Sequence, residues 1–309
     1  MSATPFKQLP YEDVPDLPNR PHLWNQARQF DLPIRTEALG DVRISVREYG
    51  EGPPLLLVHG LMTAGYSFRY QLETWGKTRR LLVPDLPGAG HSSHPNRPLT
   101  PDALARSILA IIEGLGVRGV QTIGNSMGGY LCMRAALIDP GAMSSLVNLH
   151  SPGLWTGRMV ALTIAGKILP AAHIVEKLVA RDPLRWVHSN VHYYDESVKS
   201  REEHREYATP LSTKEGRRSF YKHLVEALDV VEMKRFEASL KRTPFPIPLC
   251  LVYTDKDPVV PPAVGDRLRA LVPKAEFVRM NDASHFAHVD CPERFAAAVE
   301  PFLRAHMPK

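Results

Sequence analysis

The chain has 309 residues, 44% of them hydrophobic and 23% charged, with a formal net charge of +5. These values suit a globular enzyme built as one large domain or a domain with an insertion, and no dense Lys/Arg block points to nucleic acid. Three widely spaced cysteines, Cys132, Cys250 and Cys291, fit reduced thiols in a cytoplasmic protein better than a disulfide frame.

Residues 1–40 read as an N-terminal arm. Six prolines up to Pro33 argue for extended chain on the surface, with one helical turn around Trp24 to Gln29. The arm has no apolar core of a signal peptide. Val42 to Tyr49 alternates apolar and polar, as an outer strand with one wet face does. Leu55-Leu56-Leu57-Val58 and Arg80-Leu81-Leu82-Val83 are continuous apolar runs, expected of strands covered on both faces of a mostly parallel sheet. A helix from about Pro101 to Leu115 leads to a strand at Val120 to Ile123, then a helix at Tyr130 to Ile138. Further strands are expected at Ser144 to Leu149, Pro248 to Tyr253 and Glu276 to Met280, with helices at Pro262 to Leu271 and Pro292 to Ala305. Alternating strands and helices imply a wound α/β sheet.

The stretch 153–245 interrupts this alternation with helical signal and reads as a cap inserted after the sixth strand. Residues 41–152 and 246–309 then form the core. Ile174 with Leu178, Val175 with Val179, and Phe220, Leu224, Leu228 and Val231 make apolar stripes at helical spacing. Between Ser151 and Cys250 there are 16 Lys+Arg against 12 Asp+Glu, so most of the excess positive charge lies here. An anionic substrate is one reading of that excess, and solvated helix faces are the plainer one. Met159 to Ala180 is apolar but broken by Lys167, Pro170, His173, Glu176 and Lys177, which excludes an unbroken membrane span.

The chemistry centres on Gly124-Asn125-Ser126-Met127-Gly128, a G-x-S-x-G turn between strand and helix. A turn this sharp strains the serine backbone, and side chains two positions before and after it would collide, hence the glycines. Gly129 lets the helix lie close to the sheet. Ser126 is the candidate nucleophile. A serine hydroxyl needs a base within reach and an acid that orients the base. His285 is the candidate base, with His288 as its rival, and Asp257 the candidate acid, with Asp255 as its rival. Leu149-His150-Ser151-Pro152 offers no carboxylate. The backbone N–H groups of Leu61 and Met127 are candidate oxyanion donors, each typically worth about 3 kcal/mol in a transition state. His59, Gly60, Met62, Asn125 and Phe286 are expected around the substrate pocket, with His59 also bracing its own turn.

Other signals are weaker. His188 and His192 stand four apart, but no third zinc ligand accompanies them. Asp85 to Gly90 lacks the lysine and spacing of a phosphate loop and reads as the pocket rim. His91 and His94 are taken as structural. Neither metal nor cofactor is expected.

The motifs His59-Gly60, Asp85 to Ser92, Gly124 to Gly129, Asp257 to Pro261 and His285 with Pro292-Glu293 resemble, in order and spacing, the α/β-hydrolase superfamily of capped serine hydrolases. The resemblance covers about residues 40–152 and 246–309 and implies an α/β-hydrolase fold: a mostly parallel eight-stranded sheet flanked by helices. The elbow is similar to that of the meta-cleavage-product C–C hydrolases, although His59-Gly60-Leu61-Met62 lacks their glycine-rich loop and Phe286 stands where tryptophan is usual. Serine displacement at an alkyl carbon would leave an ether that water cannot release, so Ser126 points to acyl carbon. The expected function is hydrolysis of an ester, thioester or lactone of a small, largely apolar molecule. C–C bond hydrolysis and a non-catalytic ligand-binding role are the alternatives. The expected partner is a small-molecule substrate, with no nucleic acid and no membrane span, and a homodimer is allowed for.

Overall fold

The computed structural model of the chain describes residues 5–157, 159–161, 164 and 171–308. Eight strands form one sheet: β1 (Arg28–Thr36), β2 (Gly40–Tyr49), β3 (Pro54–Val58), β4 (Arg80–Pro84), β5 (Val120–Asn125), β6 (Met143–Leu149), β7 (Leu249–Thr254) and β8 (Glu276–Met280). Their order is β1-β2-β4-β3-β5-β6-β7-β8. β2 runs antiparallel to both its neighbours, and the pairs from β4 to β8 are parallel.

Burial explains the apolar runs. Leu56 and Val58 of β3 enter a core with the helices α2 (Pro101–Gly114), α3 (Met127–Ile138) and, further along, α9 (Pro262–Leu271). Leu55 and Leu57 face the opposite core, with α1 (Gln71–Trp75) and the C-terminal α11 (Pro292–Ala305). A strand covered on both sides has no wet face to mark with polar residues. Thr100 starts α2 by accepting the Ala103 N–H at 3.2 Å, and Pro101 occupies the first turn, where its missing donor costs nothing.

One expectation about the arm is corrected. Residues 28–36 are not loose surface chain but β1, paired along its length with β2, and the helical turn before it covers only Trp24–Gln26.

Between β6 and β7 lie α4 (Ala171–Arg181), α5 (Pro183–Asn190), α6 (Arg201–Ala208), α7 (Lys214–Lys222) and α8 (Val230–Arg242). The stripes anticipated there are partly redirected. Val179 is fully buried, whereas Ile174 and Leu178 are half exposed. Phe220 is buried, but a π-helical turn (His223–Ala227) follows α7, and Asp229 then caps α8 by accepting the Val231 and Glu232 N–H groups. That break turns Val231 out to solvent. The insert is tied to the sheet loops where His223 Nε2 meets the Pro87 carbonyl at 2.9 Å and Glu226 accepts the Leu99 N–H at 2.6 Å. The apolar stretch Met159 to Ala180 falls partly outside the described residues. Among those described, no helix is long and apolar enough to cross a membrane.

Candidate active site

β5 delivers Ser126 to its C-terminal end, and α3 starts at the next residue. The Ser126 backbone has φ 53° and ψ −122°, a strained conformation for a non-glycine residue. The Ser126 N–H donates to the Leu149 carbonyl at 2.7 Å, so the β5–β6 ladder itself pins the turn. A Cβ at Gly128 would stand 2.4 Å from the carbonyl oxygens of Val58 and His59, and one at Gly124 2.6 Å from Gly129 Cα. At Gly129 it would meet Asn148 Oδ1 of β6 at 2.3 Å. The elbow glycines therefore bring α3 against both flanking strands. Gly60 completes the arrangement, since a Cβ there would lie 2.9 Å from that of Ser126.

The loops after β7 and β8 bring the candidate acid and the candidate base together. His285 Nδ1 and Asp257 Oδ2 are 2.7 Å apart, and both side chains are almost wholly buried. Asp257 Oδ1 accepts the N–H groups of Val259 at 2.7 Å and Val260 at 2.9 Å. Burial alone would raise the Asp257 carboxyl, but the neighbouring His285 and these hydrogen bonds outweigh it and hold the group below its ordinary range. Asp255, the rival acid, instead pairs with Arg279 at 3.1 Å on the surface. His288, expected to face solvent or the insert, is fully buried, with its ring 4.8 Å from that of Phe68 and neither ring nitrogen hydrogen-bonded. Burial holds it neutral, well below the usual imidazole range, and it has no carboxylate to orient it.

The family signature described as the alpha/beta hydrolase fold matches residues 53–292. The chain belongs to that family. This hydrolase is 25% identical over 280 residues to the uncharacterized hydrolase YugF of Bacillus subtilis, an alignment covering 88% of this chain and 98% of the relative. It is 23% identical over 272 residues to a 2-hydroxymuconate semialdehyde hydrolase of Pseudomonas putida, covering 84% and 90% of the two chains. Among solved structures, ALR0039 from Nostoc sp PCC 7120 superposes with a TM-score of 0.77 at 18% identity, covering 91% of this chain and 99% of the other.

The residues expected around the pocket of this hydrolase divide into two kinds. His59 is fully buried, and both ring nitrogens are committed to main chain: Nδ1 to the Gly60 carbonyl at 2.8 Å and Nε2 to the Leu86 N–H at 2.9 Å. It braces the loops after β3 and β4. Asn125, expected to line the pocket, donates from its side chain to the His285 carbonyl at 3.2 Å, joining the elbow to the loop that carries His285. Met62, with φ 63°, is half buried beside Leu61, and Phe286 packs edge-on against the His285 ring at 5.2 Å. The Asp85 loop is folded around its own carboxylate, which accepts the Gly65 and His91 N–H groups, each at 2.8 Å. His188 and His192 do not converge: one meets the Leu9 carbonyl at 3.0 Å, the other Glu196 at 3.1 Å.

Two residues escaped the sequence. His150, at the end of β6, lies 2.9 Å from the His285 carbonyl and 3.5 Å from Asp257 Oδ2. Asp290 accepts the Ser284 N–H at 2.6 Å and the Tyr194 N–H at 2.8 Å, steadying the residue before His285. Neither belongs to a motif with fixed spacing; the only signal was, for His150, a polar residue directly after an apolar strand. The donor atoms of His150, Asp257 and His285 lie within 4.8 Å of one another, close enough for a metal. The hydrogen bonds of His285 Nδ1 to Asp257 and of His150 Nδ1 to the His285 carbonyl already account for that closeness.

Proposed function

We propose that this hydrolase uses Ser126 to cleave a carboxylic ester, thioester or lactone of a small, largely apolar substrate through an acyl-enzyme. The observation that carries the reading is the 2.7 Å contact between His285 Nδ1 and Asp257 Oδ2, in a chain whose serine sits on a strained strand-to-helix turn. With the Nδ1 proton given to Asp257, His285 Nε2 holds the lone pair that takes the Ser126 proton. The hydroxyl oxygen attacks the acyl carbon, and the oxyanion that forms is met by the Leu61 and Met127 N–H groups. Met127 is the first residue of α3, where a backbone N–H has no partner within the helix and the helix dipole favours negative charge. His285 returns the proton to the leaving oxygen or sulfur. Water then attacks the acyl-enzyme by the same route in reverse.

A crevice of about 20 Å³, bounded by Met62, Ala89, Leu211 and Phe220 together with Thr63, Tyr207 and His223, separates the loops after β3 and β4 from the insert. That is room for roughly one water, so the helices 171–242 act as a cap that must shift to admit substrate by this route.

A second reading is hydrolysis of a C–C bond in a diketone, favoured by the Gly124–Gly129 elbow and by the relative named as a 2-hydroxymuconate semialdehyde hydrolase. There the same serine attacks a ketone whose leaving group is a stabilised carbanion. Labelling with a fluorophosphonate and mapping the adduct tests the shared part: the adduct is expected on Ser126, and Ser126→Ala should abolish ester turnover. An adduct elsewhere, or full activity in Ser126→Ala, defeats the assignment. Comparing p-nitrophenyl esters with a ring-cleavage product separates the two reactions. Ligand binding without turnover or burst would favour a non-catalytic role.

A further inference from the structure

His150 follows β6 with φ 53°, a left-handed conformation that few residues other than glycine and asparagine adopt readily. Its N–H is fixed to the Val252 carbonyl of β7 at 2.9 Å, and its side chain is fully buried. Nδ1 faces two acceptors, the His285 carbonyl at 2.9 Å and Asp257 Oδ2 at 3.5 Å. Because neither can donate, Nδ1 must carry the proton. That leaves Nε2 as an acceptor, and it is buried without a hydrogen-bond partner. The ring stacks on that of His285, with centroids 5.4 Å apart at 30°, and the Tyr253 ring lies 5.8 Å away.

A buried acceptor without a donor weakens a fold, so stability alone gives little reason to keep an imidazole here. Its Nδ1–H has a better account. We propose that His150 is a positioning residue for the base: its Nδ1–H, donated to the His285 carbonyl at 2.9 Å with Asp257 Oδ2 3.5 Å away, holds the loop that carries the base in register with the acid. This rests on the assignment of His285 as base. Protonation of His285 during the reaction places a cation beside the stacked ring, and a neutral His150 tolerates it where a charged one would repel it. Burial first, together with His285, pushes the His150 imidazole down to about 4, against the pull of Asp257, which keeps it neutral at the working pH. The titratable groups that face it are Asp257 and His285, with Tyr253 alongside and His288 beyond.

The test compares His150→Leu, which removes the donor, with His150→Asn, whose Nδ2 stands where Nδ1 did and which tolerates the backbone conformation. Rates are measured on a p-nitrophenyl ester as functions of pH, beside the fraction folded by circular dichroism and the fluorophosphonate labelling of Ser126. In His150→Leu, kcat should fall about tenfold, the effect of losing one buried hydrogen bond to the main chain of the base. KM should stay unchanged, and the acid limb of kcat/KM should move to higher pH, because a carboxylate without that N–H dipole 3.5 Å away holds the imidazolium more strongly. His150→Asn should restore kcat to within about threefold of the parent and leave the limb in place. A parental rate and profile in His150→Leu, an equal loss in both variants, or a loss that follows the fraction folded would each overturn the proposal. Failure of the parent itself to label at Ser126 would instead overturn the underlying reading of the site.

Discussion

Arg69 and Glu203 meet at 2.7 Å with neither side chain exposed, the first on the turn before α1 and the second on α6 of the insert. The Arg69 guanidinium lies 4.6 Å from the Tyr66 ring and 4.5 Å from that of Tyr70, and the Tyr193 hydroxyl donates to the same Glu203 oxygen at 2.8 Å. A pair so deep is stable only while both charges are present. Arg69→Met should therefore destabilise the protein by about 3–5 kcal/mol, read as a lower urea midpoint, because it strands a carboxylate without water. Arg69→Met combined with Glu203→Leu should recover most of the loss. A double variant no better than the single one would mean that the pair contributes net attraction, not merely mutual neutralisation.

The elbow makes a steric prediction. Gly128→Ala puts a methyl group 2.4 Å from two main-chain oxygens that cannot swing aside, so α3 must back away from β3. Overpacking of this kind costs about 1–3 kcal/mol, and the displaced turn should label with fluorophosphonate much more slowly than the parent. Gly157→Ala is the control, since a Cβ there meets nothing within 4 Å. Its midpoint should stay within about 0.5 kcal/mol of the parent. Equal stability and labelling in Gly128→Ala would show that the turn has slack.

The elbow was legible because its constraint is local: a Cβ two residues either side of Ser126 hits backbone, so glycine must appear in the sequence itself. The buried strands were legible for a similar reason, since Leu55 to Val58 face a core on each side and leave no polar imprint. β1 does alternate, with Phe30, Leu32 and Ile34 apolar at every second position, but its proline hid the strand. It is an edge strand with Pro33 inside it, and Ile34 is its only buried residue. The stripe Ile174/Leu178 looks like Val175/Val179 in sequence, and only the docking of α4 decides that Val179 turns inward. His150 and Asp290 could not be read because their roles lie in contacts to residues 96 to 135 positions distant or to main chain.

The N-terminal arm caps a helix that is not its own. The N–H groups of Arg201 and Glu202, the first two residues of α6, donate to the carbonyls of Pro15 at 2.8 Å and Asp16 at 3.0 Å. Ser200 accepts the third, from Glu203, at 3.2 Å. Those donors have no partner inside the helix, and the arm supplies two of them. Tyr11 also stacks on His204 at 5.8 Å with the Arg185 guanidinium 4.7 Å from its ring. Removing residues 1–17 should lower the thermal midpoint and speed proteolysis within 171–242 while β3 to β8 stay protected from hydrogen exchange. Unchanged proteolysis would mean that the insert holds itself.

Asp257→Asn should be far more damaging than its size suggests. Oδ1 is fixed by the Val259 and Val260 N–H groups, so the asparagine oxygen must stay there and the amide NH₂ must face His285. The imidazole then has to accept at Nδ1 and carry its proton on Nε2, where it cannot take one from Ser126. The expected loss in kcat is about four orders of magnitude with the fold intact, measured on any ester the parent cleaves. A loss below about tenfold would mean that the carboxylate does not set the tautomer.

Asp290 links stability to pH beside the same loop. Burial pushes its carboxyl up to about 7, against the N–H groups of Ser284 and Tyr194 that favour the charged form. Its ordinary value is 3.8, so between the two the folded protein keeps a proton that the unfolded chain has released. The stability this contributes is complete below 3.8 and is lost as pH rises through about 7, at about 1.4 kcal/mol per pH unit while it declines. Asp290→Asn has no such proton. The variant should therefore gain on the parent steadily from pH 5 to pH 7 and hold a constant difference above pH 8, as thermal midpoints in buffers of equal ionic strength will reveal. A difference that stays flat from pH 5 upward would mean that the two backbone donors keep the carboxylate charged throughout, and that burial is the weaker effect.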